Sequence, residues 1–424
     1  MKNLSEKKAR DVFFEPMKRA LETAKNRRQC KTFSDWQQLT AGVSRCLQPV
    51  QSGREWIQRL RQVFSFEIRV SSFFESLASD RRLRLVREVN ESVVSEVDAA
   101  VLDSEDWFGQ YSELDNFAVY AADGHYHKCS AHEDPIAGKR RPVGHFFAIN
   151  LRTLSMRHLD LARPAPGRKT EHDITALKRL NPDQLRMGEP QGRKVVLVYD
   201  MAIIDFIQWY KWKQAKGIYI VTRERENMSL LPCGHREFDR NDPRNNGVVS
   251  DEQAGTSKST LVRRITYIDP VDGKKYAFIT NEMTLPPGLI VFFYKKRWTI
   301  EKLFNQLTNK LLERQAWAKS PTAKCQHAVF LCLAHNLMLL LERKIEKEEG
   351  IADNKILRRR TAQVLANVKK SKAASRSLSP MLCMVHRSVE RSLQFIRWLR
   401  WVLEYPTPWR LAMSQLRPLM EKYL

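Results

Sequence analysis

Three residues that could act together on a phosphate and a metal ion fall at helical spacing: Tyr294, Arg297 and Glu301. At about 100° per residue, the seven positions from Tyr294 to Glu301 turn about 700°, and Arg297 lies within about 60° of both. The three side chains therefore share one helix face, where the carboxylate could hold a cation and the guanidinium could bind phosphate. The same spacing also fits an ordinary helix whose Arg–Glu pair contributes only about 0.3 kcal/mol.

Two aspartates follow apolar runs that predict buried strands: Asp123 after residues 117–122 and Asp200 after residues 195–199. Strand ends meet at the carboxyl edge of a sheet, so these carboxylates could lie together. Mg²⁺ prefers oxygen ligands, and two such ions about 4 Å apart can promote phosphoryl transfer. An aspartate after a strand also commonly begins a turn or caps a helix, so position alone leaves both interpretations open.

The elements around these residues alternate between strands and helices, which indicates an α/β sheet. The predicted strands are 117–122, ending in an Asp123-Gly124 turn, 145–151, 194–200 and 218–222. A helix over 202–214 precedes Gly217, and the polar residues 224–257 predict a long loop. A hairpin is predicted around 269–273, followed by helices over 295–318 and 323–347.

The charge balance points to nucleic acid as the first partner to consider. Lys and Arg number 72 against 48 Asp and Glu, giving a formal net charge of +24, and such a chain attracts polyanions. Membrane surfaces and acidic proteins are weaker candidates. The longest apolar stretch, 328–341, is too short to cross a bilayer, and neither the polar start nor the seven scattered cysteines indicates export. We therefore expect a cytoplasmic protein without a membrane partner.

Basic residues concentrate in three places. The helical first hundred residues and the helical last eighty are both rich in arginine and lysine, and Arg140 and Arg141 lie in the loop between the first two predicted strands. Any single arginine there is explained as well by a solvated surface. Together they predict contacts with DNA on both sides of the central sheet.

Three blocks of this sequence resemble the bacterial insertion-sequence transposases of the DDE type, in the cut-and-paste branch that carries a Tyr-Arg-Glu-Lys signature. The blocks are Phe-Ala-Val-Tyr-Ala-Ala-Asp-Gly ending at Gly124, Val-Val-Leu-Val-Tyr-Asp ending at Asp200, and Tyr-Lys-Lys-Arg-Trp-Thr-Ile-Glu ending at Glu301. The resemblance covers about residues 117–340. The third block is specific, whereas the first two alone would be weak.

The resemblance implies a ribonuclease-H-like catalytic domain with a β-rich insertion between Asp200 and Glu301. It implies that Asp123, Asp200 and Glu301 are catalytic and hold two Mg²⁺ ions, for which Mn²⁺ can substitute. Tyr294 and Arg297 would contact DNA near the cut. Further DNA-contact candidates are Trp298, Lys310, Arg140 and Arg141.

One position departs from the family pattern. The signature lysine is expected seven residues after Glu301, where this chain has Thr308. The nearest lysine in that direction, Lys310, is nine residues away, and about 900° of rotation would place it on the opposite face of a regular helix. Either the phosphate contact comes from elsewhere or activity is impaired.

Three regions are predicted: a helical DNA-end-binding domain over 1–110, a catalytic α/β domain over 111–345 with a β insertion at about 224–293, and a basic helical region over 346–424 for DNA contact or dimerisation. The expected function is DNA transposition. The enzyme would cut the terminal inverted repeats of a mobile element, through a hairpin as in its relatives, and join them to target DNA as a homodimer on paired ends. A ribonuclease-H-like nuclease and a DNA-binding repressor derived from a transposase remain alternatives.

Overall fold

The protein is a mixed α/β structure built on one sheet. The computed structural model of the chain describes residues 4–30, 32–49, 52–101, 106–130, 134–135, 138, 140–165, 168–226, 228, 230–255, 261–311 and 315–422. The strands within them are β1 (Phe117–His127), β2 (Val143–Asn150), β3 (Met156–Leu161), β4 (Lys194–Val198), β5 (Ile218–Arg223), β6 (Leu231–His235), β7 (Val248–Gly255), β8 (Leu261–Ile268) and β9 (Lys275–Thr280). They form one nine-stranded sheet in the order β3-β2-β1-β4-β5-β9-β8-β7-β6.

Helices precede, interrupt and follow the sheet. The helices of the described residues are α1 (Ala9–Thr23), α2 (Asp35–Leu47), α3 (Gly53–Phe64), α4 (Val70–Leu77), α5 (Asp80–Ala99), α6 (Asp173–Arg179), α7 (Pro182–Leu185), α8 (Phe206–Lys216), α9 (Pro287–Lys296), α10 (Trp298–Asn305), α11 (Pro321–Glu349), α12 (Asn354–Ala373), α13 (Pro380–Cys383), α14 (Leu393–Glu404) and α15 (Trp409–Glu421). None of these described helices has both the length and the apolar character needed to cross a membrane.

The sheet separates two apolar layers, because successive side chains of a strand point to opposite faces. Val119 and Val196 pack in one cluster with residues of α9, α10 and α11. Ala118 and Leu197 pack in the other, with residues of α6, α7 and α8. The terminal helices join the first cluster around the buried helix α11. Burial on both faces explains why the central strands are uninterrupted apolar runs.

Several predicted elements are confirmed. The predicted helix over 202–214 corresponds to α8, which ends at Gly217 with a φ of +60°, a left-handed conformation that glycine adopts without steric cost. The hairpin is formed by β8 and β9, and the helix over 323–347 is α11.

The predicted turn at Asp123-Gly124 is wrong. β1 continues to His127, and Asp123 and Gly124 pair with Phe147 and Phe146 of β2 in an antiparallel ladder. The neighbouring strand provides hydrogen-bond partners for this dipeptide, so its local preference for a turn does not decide the structure.

The predicted long loop over 224–257 is also wrong, because β6 and β7 lie inside it. β7 is polar in sequence but pairs along its length with β8. Its Asp251 forms a buried ion pair with Arg263 of β8, at 2.6 Å. A strand that buries a neutralised charge does not show the apolar pattern from which strands are predicted.

The predicted helix over 295–318 differs at both ends. The apolar run 289–293 lies inside α9, and beyond α10 a π-helical turn, Gln306–Lys310, ends the helix. The segment before α14 bonds to both ends of this turn. The backbone amide of Arg391 donates to Gln306 Oε1 at 2.7 Å, and Lys310 Nζ donates to the Arg391 carbonyl at 2.6 Å. The rotation of a regular α-helix therefore does not apply beyond residue 305.

Candidate active site

The strand register places Asp123 and Asp200 at one edge of the sheet. β1 and β4 are parallel neighbours whose last pair is Ala121 with Val198. Each aspartate follows two residues later, Asp123 still within β1 and Asp200 in the loop after β4, and the two carboxylates are close enough to interact electrostatically. Asp200 is held by its own loop, because its Oδ1 accepts a hydrogen bond from the Ala202 amide at 2.7 Å.

Arg297 connects the third carboxylate to the first. It lies at the junction of α9 and α10, where its amide donates to the Phe293 carbonyl at 3.2 Å. Its Nη2 is 2.6 Å from Glu301 Oε1, and its Nη1 is 3.4 Å from Asp123 Oδ2. The guanidinium carbon also lies 5.5 Å from the centroid of the Tyr294 ring. Tyr294, Arg297 and Glu301 thus share one face, as their spacing predicts.

The site carries more negative charge than its arginine neutralises. Burial raises the pKa of Asp123 to about 6, and the nearby Asp200 and Glu301 add to this rise. Arg297 and the Gly124 amide, which donates to Asp123 Oδ1 at 2.8 Å, act in the opposite direction. Crowded carboxylates of this kind favour a bound cation, because a cation removes the repulsion between them.

A fourth carboxylate, which no sequence pattern singles out, lies near these three. Asp173 is the first residue of α6, and a Cβ at Gly124 would lie 3.6 Å from its Oδ1. Burial raises the pKa of Asp173 to about 7, with further contributions from Asp123, Asp200 and Glu171. In sequence Asp173 is only an acidic residue at a helix start, a position that carries no functional signal.

The donor set is chemically suited to a hard divalent cation. Carboxylate oxygens are what Mg²⁺ and Mn²⁺ take in proteins. Among the described residues, however, no group of three or more His, Cys, Asp or Glu side chains is spaced closely enough to hold a metal ion. Arg297 lies between Asp123 and Glu301 and supplies the positive charge that partly neutralises both carboxylates.

The other predicted DNA contacts differ in their surroundings. Trp298 is 57% exposed beside Arg297, and Arg140 and Arg141 are exposed in the connection from β1 to β2. Tyr294 is half-buried against Phe278, with ring centroids 5.0 Å apart. Lys310 is not brought to the carboxylates, since its amino group bonds to the C-terminal segment.

A row of histidines packs beside the site and was not predicted. His125, two residues after Asp123, stacks on Phe304 of α10 at 4.7 Å between centroids. Behind it, His145 Nδ1 lies 3.1 Å from His158 Nε2. Burial lowers the pKa of His158 to about 3, so the inner part of this row is neutral and serves as packing.

Comparison with known proteins identifies one family. The family model described as "Transposase DDE domain" matches residues 121–337, just over half of the chain. The match begins two residues before Asp123, ends within α11 and includes every carboxylate described above. Comparison with curated proteins found no match.

Proposed function

Because the chain belongs to the family of transposases with a DDE domain, we propose that it cuts the ends of a mobile DNA element and joins them to target DNA. The observation that carries this proposal is the convergence of Asp123, Asp200 and Glu301, with Arg297 bridging the first and the last. Two carboxylates come from adjacent parallel strands and one from a helix packed on them.

Asp123, Asp200 and Glu301 would hold two Mg²⁺ or Mn²⁺ ions. When bound, such ions lower the charge barrier to in-line attack at phosphorus. The three carboxylates would set where the ions bind, and Arg297 alone pairs with them among the described residues, so their negative charge is only partly neutralised. The fit rests on the oxygen donors and on this unbalanced charge.

Arg297 would leave the carboxylates of Asp123 and Glu301 and bind the DNA. In this structure its guanidinium binds Glu301 and Asp123, and its planar fork equally suits two phosphate oxygens. Once cations neutralise the carboxylates, the attraction that holds Arg297 between them weakens. Trp298, exposed on the next position, would meet a base or sugar, since an aromatic ring that faces solvent can stack on DNA.

The fold supports a ribonuclease-H-like assignment and the Tyr-Arg-Glu-Lys branch. The antiparallel strands β3, β2 and β1 are followed by β4 and β5, parallel to β1. The strands between Asp200 and Glu301 extend this sheet through the pairing of β9 with β5. Tyr294, Arg297 and Glu301 match three of the four residues of the branch signature, and Thr308 stands where its lysine is expected.

DNA would lie against basic surfaces on both sides of the site, with two copies of the chain on paired ends. Arg84 and Arg87 are exposed on α5, and α12 is exposed along most of its length with Arg358, Arg359, Lys369 and Lys370 on its surface. Not every arginine of the N-terminal helices is available to bind DNA, because Arg81 is paired with Asp35 at 2.7 Å.

Asp123→Asn, Asp200→Asn and Glu301→Gln test this proposal on a DNA fragment that carries the element's end. We expect each to reduce strand cleavage at least about a thousandfold, because each removes a ligand of the cations whose positive charge would stabilise the transition state, while DNA binding persists. The matched control is Glu75→Gln, an exposed acidic residue on α4. Near-normal cleavage by any of the three variants contradicts the assignment of that residue.

The same assay separates the alternatives. A nuclease would cut the fragment without joining products to a second DNA molecule. A repressor derived from a transposase would bind the ends but cut nothing with either Mg²⁺ or Mn²⁺. Joined products that require two element ends support the transposase.

A further inference from the structure

The helix that carries Glu301 ends in an uncommon turn. After α10, the residues Gln306–Lys310 form a π-helical turn, in which the Leu311 amide donates to the Gln306 carbonyl at 3.0 Å. Such turns are rare and are frequently found at functional sites. The turn begins five residues after Glu301, so a contact that fixes Gln306 also fixes the end of α10.

The side chain of Gln306 is fully buried and makes one hydrogen bond to the described part of the chain. Its Oε1 accepts from the Arg391 amide at 2.7 Å, while its Nε2 has no partner among the described residues. A buried N–H group without a partner lowers stability, and an apolar side chain of similar size would avoid that cost. Stability alone therefore does not account for a glutamine here, and Oε1 is the atom that makes its polar contact.

The amide that binds Gln306 is itself held in place. Arg391 is fully buried, with its Nη2 2.8 Å from Glu342 Oε2 of α11 and its Nη1 donating to the Val389 carbonyl at 3.0 Å. The next amide, that of Ser392, donates to Asp353 Oδ2 at 2.7 Å. The backbone around Arg391 is thus fixed to α11 and to the start of α12, and it gives Gln306 a partner with little freedom to move.

The two ends of the π turn differ in how many contacts hold them. At the far end, Lys310 Nζ donates to the Arg391 carbonyl at 2.6 Å, and the Lys310 carbonyl accepts from Arg400 Nη2 at 3.1 Å. At the end next to α10, the bond from Arg391 to Gln306 is the one side-chain hydrogen bond among the described residues. Losing the Gln306 oxygen therefore releases the end that adjoins α10.

The position of Glu301 follows the position of α10. Its carboxylate is 2.6 Å from Arg297 Nη2, but this is an i,i+4 pair that moves together with the helix. α10 packs on the core through apolar residues such as Leu303, and apolar packing has no preferred direction. A hydrogen bond weakens steeply when it is misaligned, so the bond at Gln306 can set the rotation of the helix.

We propose that Gln306 is a positioning residue for the reaction: held by the Arg391 amide, it fixes the rotation of α10 and with it the distance of the Glu301 carboxylate from Asp123. This inference rests on the proposed function, because it takes Glu301 to act in strand cleavage. Gln306 lies behind the site and touches neither DNA nor the reacting atoms.

The experiment compares single-turnover cleavage of a DNA fragment that carries the element's end, at saturating full-length protein, with the dissociation constant for the same fragment. We expect Gln306→Met to cleave at least about tenfold more slowly with unchanged DNA affinity, since a misplacement of about 1 Å can cost about a hundredfold in rate. Gln306→Glu keeps an oxygen that accepts from the Arg391 amide and should retain most of the rate. Gln306→Leu also lacks the oxygen and is measured in parallel, so that whichever of the two apolar variants folds decides the result.

The matched control is Gln38→Met, because Gln38 is also fully buried and its Nε2 donates to Gln326 Oε1 at 2.7 Å, away from α10. It should lose stability without losing cleavage rate. Wild-type cleavage by a folded Gln306→Met or Gln306→Leu protein, or an equal loss in Gln38→Met, overturns this inference, and inactive Glu301→Gln in the same assay leaves the proposed function standing. If Glu301→Gln itself cleaves normally, the role of Glu301 in the proposed function is wrong.

Discussion

Replacing Asp123 by asparagine should make the metal-free protein more stable while abolishing cleavage. Burial and the neighbouring carboxylates raise the pKa of Asp123 from 3.8 to about 6, net of its bonds to Arg297 and the Gly124 amide. As the pH rises, the unfolded chain therefore releases this proton at a pH about two units lower than the folded protein does. Between pH 3.8 and pH 6 the folded state binds more protons, so stability falls as the pH rises through this window.

The magnitude follows from 1.36 kcal/mol per unit of pKa difference. At pH 7.5 the ionised Asp123 lowers the free energy of unfolding by about 3 kcal/mol, and at pH 4.5 by about 1 kcal/mol. Asparagine has no charge to bury and keeps the oxygen that accepts from the Gly124 amide. We therefore expect Asp123→Asn to gain up to about 3 kcal/mol at pH 7.5 and clearly less at pH 4.5.

Urea unfolding in EDTA at the two pH values measures this effect, with Glu75→Gln as an exposed control. Adding Mg²⁺ should then stabilise the wild type more than the variant, because ligand binding to the folded state adds stability by mass action. A variant that is no more stable than the wild type at pH 7.5, or whose gain is the same at pH 4.5, would refute the reasoning. Such a result would mean that the carboxylate in the metal-free protein is more solvated than in this structure, or more strongly paired with Arg297.

Four further predictions follow: two concern the helix after the site, one the core and one DNA binding. Thr308→Lys should raise the rate of single-turnover cleavage by up to about tenfold if a lysine there reaches phosphate; no gain would mean that the π turn directs residue 308 away. Lys310→Ala should instead lower the free energy of unfolding by about 1 kcal/mol, because the variant loses the hydrogen bond to the Arg391 carbonyl. A large loss of cleavage at unchanged stability would contradict this. His335 is buried with Nε2 2.9 Å from the Leu154 carbonyl, and burial followed by the charge of Arg391 lowers its pKa to about 3. Between pH 6.5 and pH 3 only the unfolded chain binds this proton, so the free energy of unfolding should fall as the pH drops, by about 2 kcal/mol at pH 5. A His335→Gln protein whose stability depends on acid pH as the wild type's does would argue against this. Finally, replacing exposed Arg84 by Ala should weaken DNA binding and reduce the slope of log K against log salt by about 0.9 if it contacts one phosphate, as measured by fluorescence anisotropy across a salt series; an unchanged slope would place Arg84 outside the interface.

The sequence identifies the third block of the site because helical geometry is local. The spacing of Tyr294, Arg297 and Glu301 determines that they share a face, and the contacts of Arg297 with both neighbours agree with it. The central strands are equally visible, because burial on both faces leaves a continuous apolar run in the sequence. The match to the transposase family confirms the family that these blocks indicate, though not the roles of individual residues.

Elements whose structure depends on distant partners were missed. The polar strand β7 is held by β8 and by the buried pair of Asp251 with Arg263. The π turn after α10 coincides with hydrogen bonds to Arg391, more than eighty residues away. No window of local sequence contains both members of such a pair, so periodicity alone predicts a loop in one case and a regular helix in the other.

Within the site, the sequence alone determined which carboxylates could be catalytic by their place after strands and in the helix. Only the tertiary structure decided that Arg297 bridges Glu301 and Asp123, and that Asp173 lies near them in the opposite layer of the sheet. The physical reason is that burial and the electrostatic interaction between charged groups depend on distances in space, not along the chain. Asp173 acquires its raised pKa from Asp123 and Asp200, which lie fifty and twenty-seven residues away along the chain and become its neighbours only when the sheet forms.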